Sequence, residues 1–472
     1  MLSNPNQKIR ISRILLHFIL YIGPYKLYFT PMSTIHRGLT VTVVVEEEKL
    51  EEINALLDEF NLHAKTYKAE YRENMPSTYF ISWLTLAPQV YADKVNLPAR
   101  ILLMTSFVGS KKQHILELAN FLGQRIQAVF EYSREFPSSI SNIGDLISFI
   151  RKKTVFQAYY SGFKFIPTQD VSREQEIKDR VFEFMDQQRG DPGFSDLSPK
   201  EIKSHIEDFI KNQTEFAWVE RDSTSQKADK IRMLIPLGIF LLVMGVSLLS
   251  LLLSFFLTSP ILSWIGLVFP AFLVLLAVLF VWLRFNENNS HIPNKPATDE
   301  WIRKIIERET NPVLNEMTVI SPLKKGLIRR IFLGLSLRLI TLVGYFSYIP
   351  TVHTARWLQL DRGRRLVFIA NFDNISEAYA HDFVDSDNRS RNMAVVFSHA
   401  AGFPPTKWLV KRGYNHRSQY MNGVRVHQKI TQFWYAFNAD LSVENLKNNR
   451  RFREGLFKKM EDDEIKEWLL TI

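Results

Sequence analysis

Thr351-Val352-His353-Thr354-Ala355-Arg356-Trp357 can be laid on Ser77-Thr78-Tyr79-Phe80-Ile81-Ser82-Trp83 so that the two tryptophans coincide. Both stretches are rich in aromatic and β-branched residues, which suit a pleated surface whose side chains alternate between faces. The match extends outward. Arg365-Leu366-Val367-Phe368 falls on Arg100-Ile101-Leu102-Leu103, Phe372 on Phe107, and Phe397 with Phe403-Pro404 on Phe130 with Phe136-Pro137. Anchors that agree in order across such a span, with one gap in each copy, read as an internal duplication.

The first copy supplies the element pattern. Leu39, Val41, Val43 and Val45 alternate with Thr40, Thr42 and Val44 as in a strand, and Leu50, Ile53, Leu57 and Phe60 then switch to helical spacing. Tyr79 to Leu86 and Arg100 to Phe107 read as strands, His114 to Gln127 as a helix and Ala128 to Tyr132 as a closing strand. That β-α-β-β-α-β order is ferredoxin-like. In the second copy the short strand Met317 to Ile320 is followed, where a packing helix belongs, by a basic amphipathic stretch.

Between the copies lie 51 residues, Met233 to Leu283, without one charged side chain. A membrane-crossing helix needs roughly 20 apolar residues, so this is a two-helix transmembrane hairpin that turns at Thr258-Ser259-Pro260. Pro270 predicts a kink in the second span. Lys227, Lys230, Arg232 and Arg284 flank the hairpin while its turn is uncharged, which by the positive-inside rule places both soluble halves in the cytoplasm. The stretch 323–348 cannot span, because Lys324, Lys325, Arg329, Arg330 and Arg338 interrupt it. Ile328, Ile331, Phe332, Leu335, Leu339, Leu342 and Phe346 recur at three- and four-residue steps, so it is expected to lie among anionic lipid headgroups with those five cations as membrane contacts.

The chain has 472 residues, and its 59 Lys and Arg against 49 Asp and Glu leave a net charge of +10. That excess suits a polyanion or an anionic bilayer; beside a hairpin, lipid headgroups rank above nucleic acid, including for the basic run Lys447 to Lys459. Zero cysteines exclude disulfides, thiolate metal sites and cysteine nucleophiles. The expected organisation is an N-terminal extension over 1–31, a first repeat over 32–190, and a helical linker over 191–232. The hairpin covers 233–283, a polar linker with a helix 284–312, and the second repeat 313–472. Residues 1–31 are either an upstream extension before Met32 or a short membrane-touching anchor. Ser198-Pro199-Lys200-Glu201 is a capping box opening a helix, and Thr298 is expected to cap another.

The segments Thr351 to Trp357, Asn371-Phe372-Asp373, Glu377-Ala378-Tyr379, Asp382-Phe383-Val384, Phe433-Trp434-Tyr435 and Asn448 to Leu456 carry a resemblance. The chain resembles an uncharacterised family of bacterial membrane-associated proteins with duplicated ferredoxin-like, dimeric α/β-barrel-like domains. The resemblance implies an α+β barrel-like body and membrane attachment. Proteins of similar fold include haem peroxidases of the dye-decolorising type and chlorite dismutases, which by fold analogy alone makes haem a cofactor to consider.

Candidate chemistry concentrates in the second copy, at His353, Asn371, Asp373, Glu377 and His399, where the first copy has Tyr79, Ser106, Val108, Lys112 and Tyr132. His353 and Arg356 point to opposite faces of one strand unless a bulge intervenes, and Asp373 suits a cap for a helix starting near Ser376. Glu377 and His381 share a helix face, but an i,i+4 pair is an ordinary surface arrangement and no metal site is assigned. An axial haem ligand could come from His353, His399 or His427. No Walker, Rossmann, nucleophile-elbow or HExxH motif is present. Two readings stand: a membrane-anchored protein binding an apolar or lipid-like ligand at the bilayer surface, or a haem-dependent peroxidase-like oxidoreductase.

Overall fold

The computed structural model describes residues 34–472, apart from 91–93, 139, 141, 189, 191, 220–223, 288–294, 344–348, 377, 380–393, 410 and 414–415. The extension over 1–31 and the candidates Glu377 and His381 lie outside the described residues. The principal elements in chain order are β1 His36–Val45, α1 Leu50–Thr66, β2 Thr78–Leu86, β3 Ala99–Val108, α2 Lys111–Phe130, α3 Ile143–Lys153, β4 Ala158–Ser161 and α4 Thr168–Gln188. There follow α5 Pro199–Lys211, α6 Thr224–Leu253, α7 Pro260–Gly266, α8 Val268–Asn286, α9 Asp299–Arg308, β5 Leu314–Pro322 and α10 Leu327–Val343. The chain ends with β6 Val352–Leu360, β7 Arg365–Asp373, α11 Arg417–His427, β8 Gln428–Lys429, β9 Phe433–Ala436, α12 Val443–Gly455 and α13 Asp462–Leu469.

This is an α+β protein whose described residues form two large antiparallel sheets, ordered β1-β3-β2-β9 and β8-β5-β7-β6-β4, and a third made of two-residue strands. The two large sheets have the same internal register. Trp83 faces Leu103 and Trp357 faces Phe368, and each ladder slips once, between Thr78 and Phe80 and between Val352 and Thr354. Alternation sorts the side chains. On the outer face of the first sheet, Val41, Trp83 and Leu103 pack with Ile53, Leu57, Leu118 and Phe130 of the helices. On that of the second, Trp357 and Phe368 pack with Leu333, Leu337 and Phe397. Leu84, Leu86, Leu102 and Met104 meet Ile320, Leu358, Val367 and Ile369 between the sheets. Each such side chain contributes about 1.5–3 kcal/mol on burial, so the layers are held by apolar area.

The last strand of the first half is not where the sequence pattern placed it. Ala128 to Phe130 continue α2, because Ile126, Val129 and Phe130 keep the helical spacing of Leu118 and Leu122 into one core. Two later segments do the joining. Segment 154–161 touches the first sheet through a Val41–Thr154 bridge and enters the second as β4 beside β6. Segment 428–436 pairs with β5 as β8 and with β2 as β9. Each segment therefore belongs to both sheets.

The described residues include two helical runs long and apolar enough to cross a membrane, Ala228–Leu253 and Pro260–Asn286, with mean hydropathies of 2.5 and 2.7. Only 11% and 6% of their most apolar windows are buried, which sets them apart from core helices. The second run breaks at Leu267, between α7 and α8. Pro270 cannot donate to Gly266 O, and Ser247 Oγ from the facing helix compensates, lying 3.3 Å from Gly266 O and 2.8 Å from Ile265 O as donor and accepting from Phe269 N at 2.8 Å. Gly266 is required here, since a Cβ would stand 2.6 Å from Leu251 Cα. The expected caps are present. Ser198 and Glu201 form the capping box with Pro199 in the first turn, and Thr298 Oγ1 accepts from Trp301 N at 3.2 Å.

Candidate functional site

Among the described sequence-derived candidates, His353 and Asp373 come together and His399 lies elsewhere. His353 sits at the slip in the β6 ladder and its Nε2 lies 2.7 Å from Asp373 Oδ1, with Phe80 and Phe163 packed edge-on against its ring. Asp373 also accepts from Val443 N at 3.1 Å, so it anchors the start of α12 rather than a helix near Ser376. Asn371 is buried between the sheets, donating to Thr354 Oγ1 at 3.0 Å and accepting from Trp434 Nε1 at 2.9 Å. His399 is fully buried beside α10, with no hydrogen-bond partner among the described residues on either ring nitrogen. Burial first, then Arg329 and Lys324, hold its pKa well below the ordinary histidine value.

The expected membrane contacts divide in two. Lys324 and Arg329 are corrected to interior residues: Lys324 Nζ donates to Phe403 O at 3.0 Å, and Arg329 donates to Ser398 O at 3.3 Å and to Asn286 O at 2.8 Å. Burial, aided by Arg329, lowers the Lys324 pKa to about 7, opposed by Glu287. Glu287, just past the second apolar run, accepts from Leu409 N at 2.6 Å. These contacts tie the hairpin's exit to the second half. Lys325 and Arg338 remain exposed, while Arg330 is half-buried against the β6–β7 turn. Leu327, Ile331, Leu335 and Leu339, spaced four apart on the face of α10 away from the body, are 65, 37, 45 and 56% exposed. α10 packs on α8, so this apolar stripe adjoins the hairpin.

The second feature is a polar layer between the sheets. Arg356 is buried; it donates to Leu39 O at 3.1 Å and to Ser106 Oγ at 2.6 Å, and stacks over Tyr159. Burial lowers its pKa, and Tyr159 and Glu316 oppose the shift. Glu316 on β5 accepts from Thr431 Oγ1 at 2.7 Å and from Ser82 Oγ. Burial raises its pKa; those two hydrogen bonds, followed by Arg356, act against the rise.

Glu316 lies at the floor of a cavity of about 430 Å³, walled by α1, α9 and segment 428–436. Its exposed lining carries Lys65, Lys68, Arg308 and Lys429, none of which is in an ion pair among the described residues, and a second carboxylate, Glu309, lines it beside Arg308. Arg308 and Lys429 also line a neighbouring cavity of about 570 Å³ with Asn54, Asp58, Thr85 and Gln432. Sequence reading missed Glu316 because it started the strand at Met317. The signal was there: Glu316, Thr318 and Ile320 share the inward face of β5, and a charged residue on a buried face calls for a partner.

No histidine lines either cavity. His353 is committed to Asp373, and His399 is enclosed beside two cations, so these donors do not fit an axial position facing a roomy apolar pocket. No group of three or more metal-binding side chains occurs among the described residues. Comparison with family models, with curated proteins and with solved structures finds no match.

Proposed function

We propose that the protein is a membrane-anchored ligand-binding protein, whose two halves are ferredoxin-like copies arranged as a barrel-like cytoplasmic body, related to the bacterial membrane-associated family that its motifs resemble. The copies are supported by the common register and the slip at Tyr79 and His353. The barrel is supported by the two segments that each serve both sheets. The observation that carries the membrane reading is the continuity of the exposed stripe on α10 with the apolar hairpin. α10 then lies in the interface with Lys325 and Arg338 toward headgroups. The ligand expected from sequence was apolar or lipid-like. The bilayer meets that description at α10, whereas the cavities have mixed walls whose lysines and arginines outnumber their carboxylates and so favour a ligand with an anionic group.

The test uses the absence of native cysteine. In intact bacterial cells, Ser259→Cys in the hairpin turn should react with a membrane-impermeant maleimide, and Lys112→Cys on α2 only after lysis. Labelling of Lys112→Cys in intact cells would overturn the topology.

A further inference from the structure

The cavity at segment 428–436 is lined by two half-buried carboxylates, Glu316 and Glu309, the latter accepting from Ser376 N, and by four exposed cations that form no ion pair among the described residues, so positive charge predominates in its wall and constrains what fits. The residue that meets β7 at the position of Glu316 is Asn371; on the first sheet Gly38 meets Ser106 in the same way. There the space is filled: a Cβ on Gly38 would come within 2.4 Å of Gln157 Nε2 and 2.8 Å of Tyr159 Cδ2. The counterpart of Arg356, which spans the first junction, is Ser82, which is too short to span the second. One junction is plugged by the chain's own side chains and the other is open. A carboxylate with both oxygens already accepting still has lone pairs for hydroxyl donors, and Asn61, Asn311 and Asn315 in the same wall offer further hydrogen-bonding groups. Lys429 has Arg365 rather than a carboxylate as its electrostatic neighbour, so positive charge at the mouth is left for a ligand to neutralise.

We infer that this cleft binds a phosphorylated polyol, its phosphate held by Arg308 and Lys429 with Lys65 and Lys68 nearby, and its hydroxyls donated to Glu316. The volume suits a small molecule of that kind. The inference rests on the ligand-binding reading above and names the ligand's chemistry. The phosphate could arrive free or as the headgroup of a glycerol-based lipid, and the experiment separates the two.

Calorimetric titration of the full chain in phosphatidylcholine nanodiscs with glycerol 3-phosphate should give saturable binding below ~10 mM, with glycerol giving none and inorganic phosphate binding more weakly. Arg308→Gln with Lys429→Gln should weaken glycerol 3-phosphate at least about tenfold. Glu316→Gln should weaken it several-fold while leaving inorganic phosphate unchanged, and Lys112→Gln should change neither. If nanodiscs containing phosphatidylglycerol abolish the titration, the headgroup is the source; if they leave it intact, the ligand is free. Either result supports the cleft. No saturable heat with the unaltered chain, or equal binding by the Arg308 and Lys429 double variant with an unchanged melting profile, would overturn it. Retention of the same chain in membranes after alkaline extraction keeps the anchoring reading separate from this outcome.

Discussion

The two junctions between the sheets are built from the same parts and finished differently. At the first, around residues 154–161, Arg356 reaches across to Leu39 O and Ser106, Tyr159 lies under its guanidinium, and Gln157 accepts from Thr40 Oγ1 at 2.5 Å. At the second, around 428–436, Ser82 and Asn371 stand at the ladder positions of Arg356 and Ser106, Trp434 donates to Asn371, and Glu316 occupies the inner position that Gly38 leaves bare. A long cation closes one side, and a shorter acid leaves a cavity on the other. Buried charge thus has two uses in one architecture: bridging strands at the first junction and facing a cleft at the second.

The largest effects should test the likeness of the halves. Trp83→Ala and Trp357→Ala empty equivalent outer cores and should each destabilise by about 3–5 kcal/mol in thermal or denaturant unfolding. A much smaller cost at one of them would break the equivalence. Arg356→Ala should cost about 3–5 kcal/mol, because it strips Ser106 and Leu39 O of a donor and leaves Glu316 without its nearby cation. Ser82→Ala, at the matching position, should cost about 1–3 kcal/mol.

Filling the inner positions should separate the junctions further. Gly38→Ala forces Gln157 and Tyr159 aside and should destabilise by about 1–3 kcal/mol. The acid at the second junction shows itself through pH. Because burial raises the Glu316 pKa, the folded chain holds that proton more tightly than the unfolded chain. Its contribution is greatest below the ordinary carboxylate pKa and is lost as pH rises through the raised value. Glu316→Gln should remove this slope, so stability relative to the unaltered chain improves as pH rises above the ordinary carboxylate range.

His114 in the first half has the opposite sign. Burial, then Arg356, lowers its pKa to about 3, so the unfolded chain takes up the proton first. Stability from the neutral imidazole, bonded to Thr105 Oγ1 at 2.7 Å, is full above about pH 6.5 and falls as pH drops toward 3. His114→Gln should flatten that acid limb. The smallest effect belongs to the surface: if α10 lies in the interface as proposed, Lys325→Gln and Arg338→Gln should each weaken its attraction to anionic vesicles by roughly 1 kcal/mol.

Much of this frame was legible. Alternation located β1 and β2, charge-free length located the two apolar runs, and Ser198 and Thr298 announced their helices. Laying Thr351 to Trp357 on Ser77 to Trp83 already set Ser82 against Arg356, and laying Arg365 to Phe372 on Arg100 to Phe107 set Ser106 against Asn371, the positions at which the junctions diverge. The joining strands were not legible. β4 and β9 have four residues each, too few for a periodicity to show, and their partners lie in the other half of the chain. Lys324 and Arg329 misled because a basic residue on an amphipathic helix reads as solvated. Here loop carbonyls and the C-terminal end of α8 receive them.

The central claim is that α10 lies in the bilayer interface beside the hairpin, holding the body against the membrane. Power-saturation electron paramagnetic resonance on nitroxides attached at Leu335→Cys and at Leu339→Cys, one at a time, in anionic nanodiscs measures it directly, since the cysteine-free chain makes each label unique. Both labels should relax more with oxygen than with a water-soluble nickel chelate, and a label at Lys112→Cys should show the reverse. Labels at Leu335 and Leu339 as open to the nickel chelate as the one at Lys112 would contradict the account.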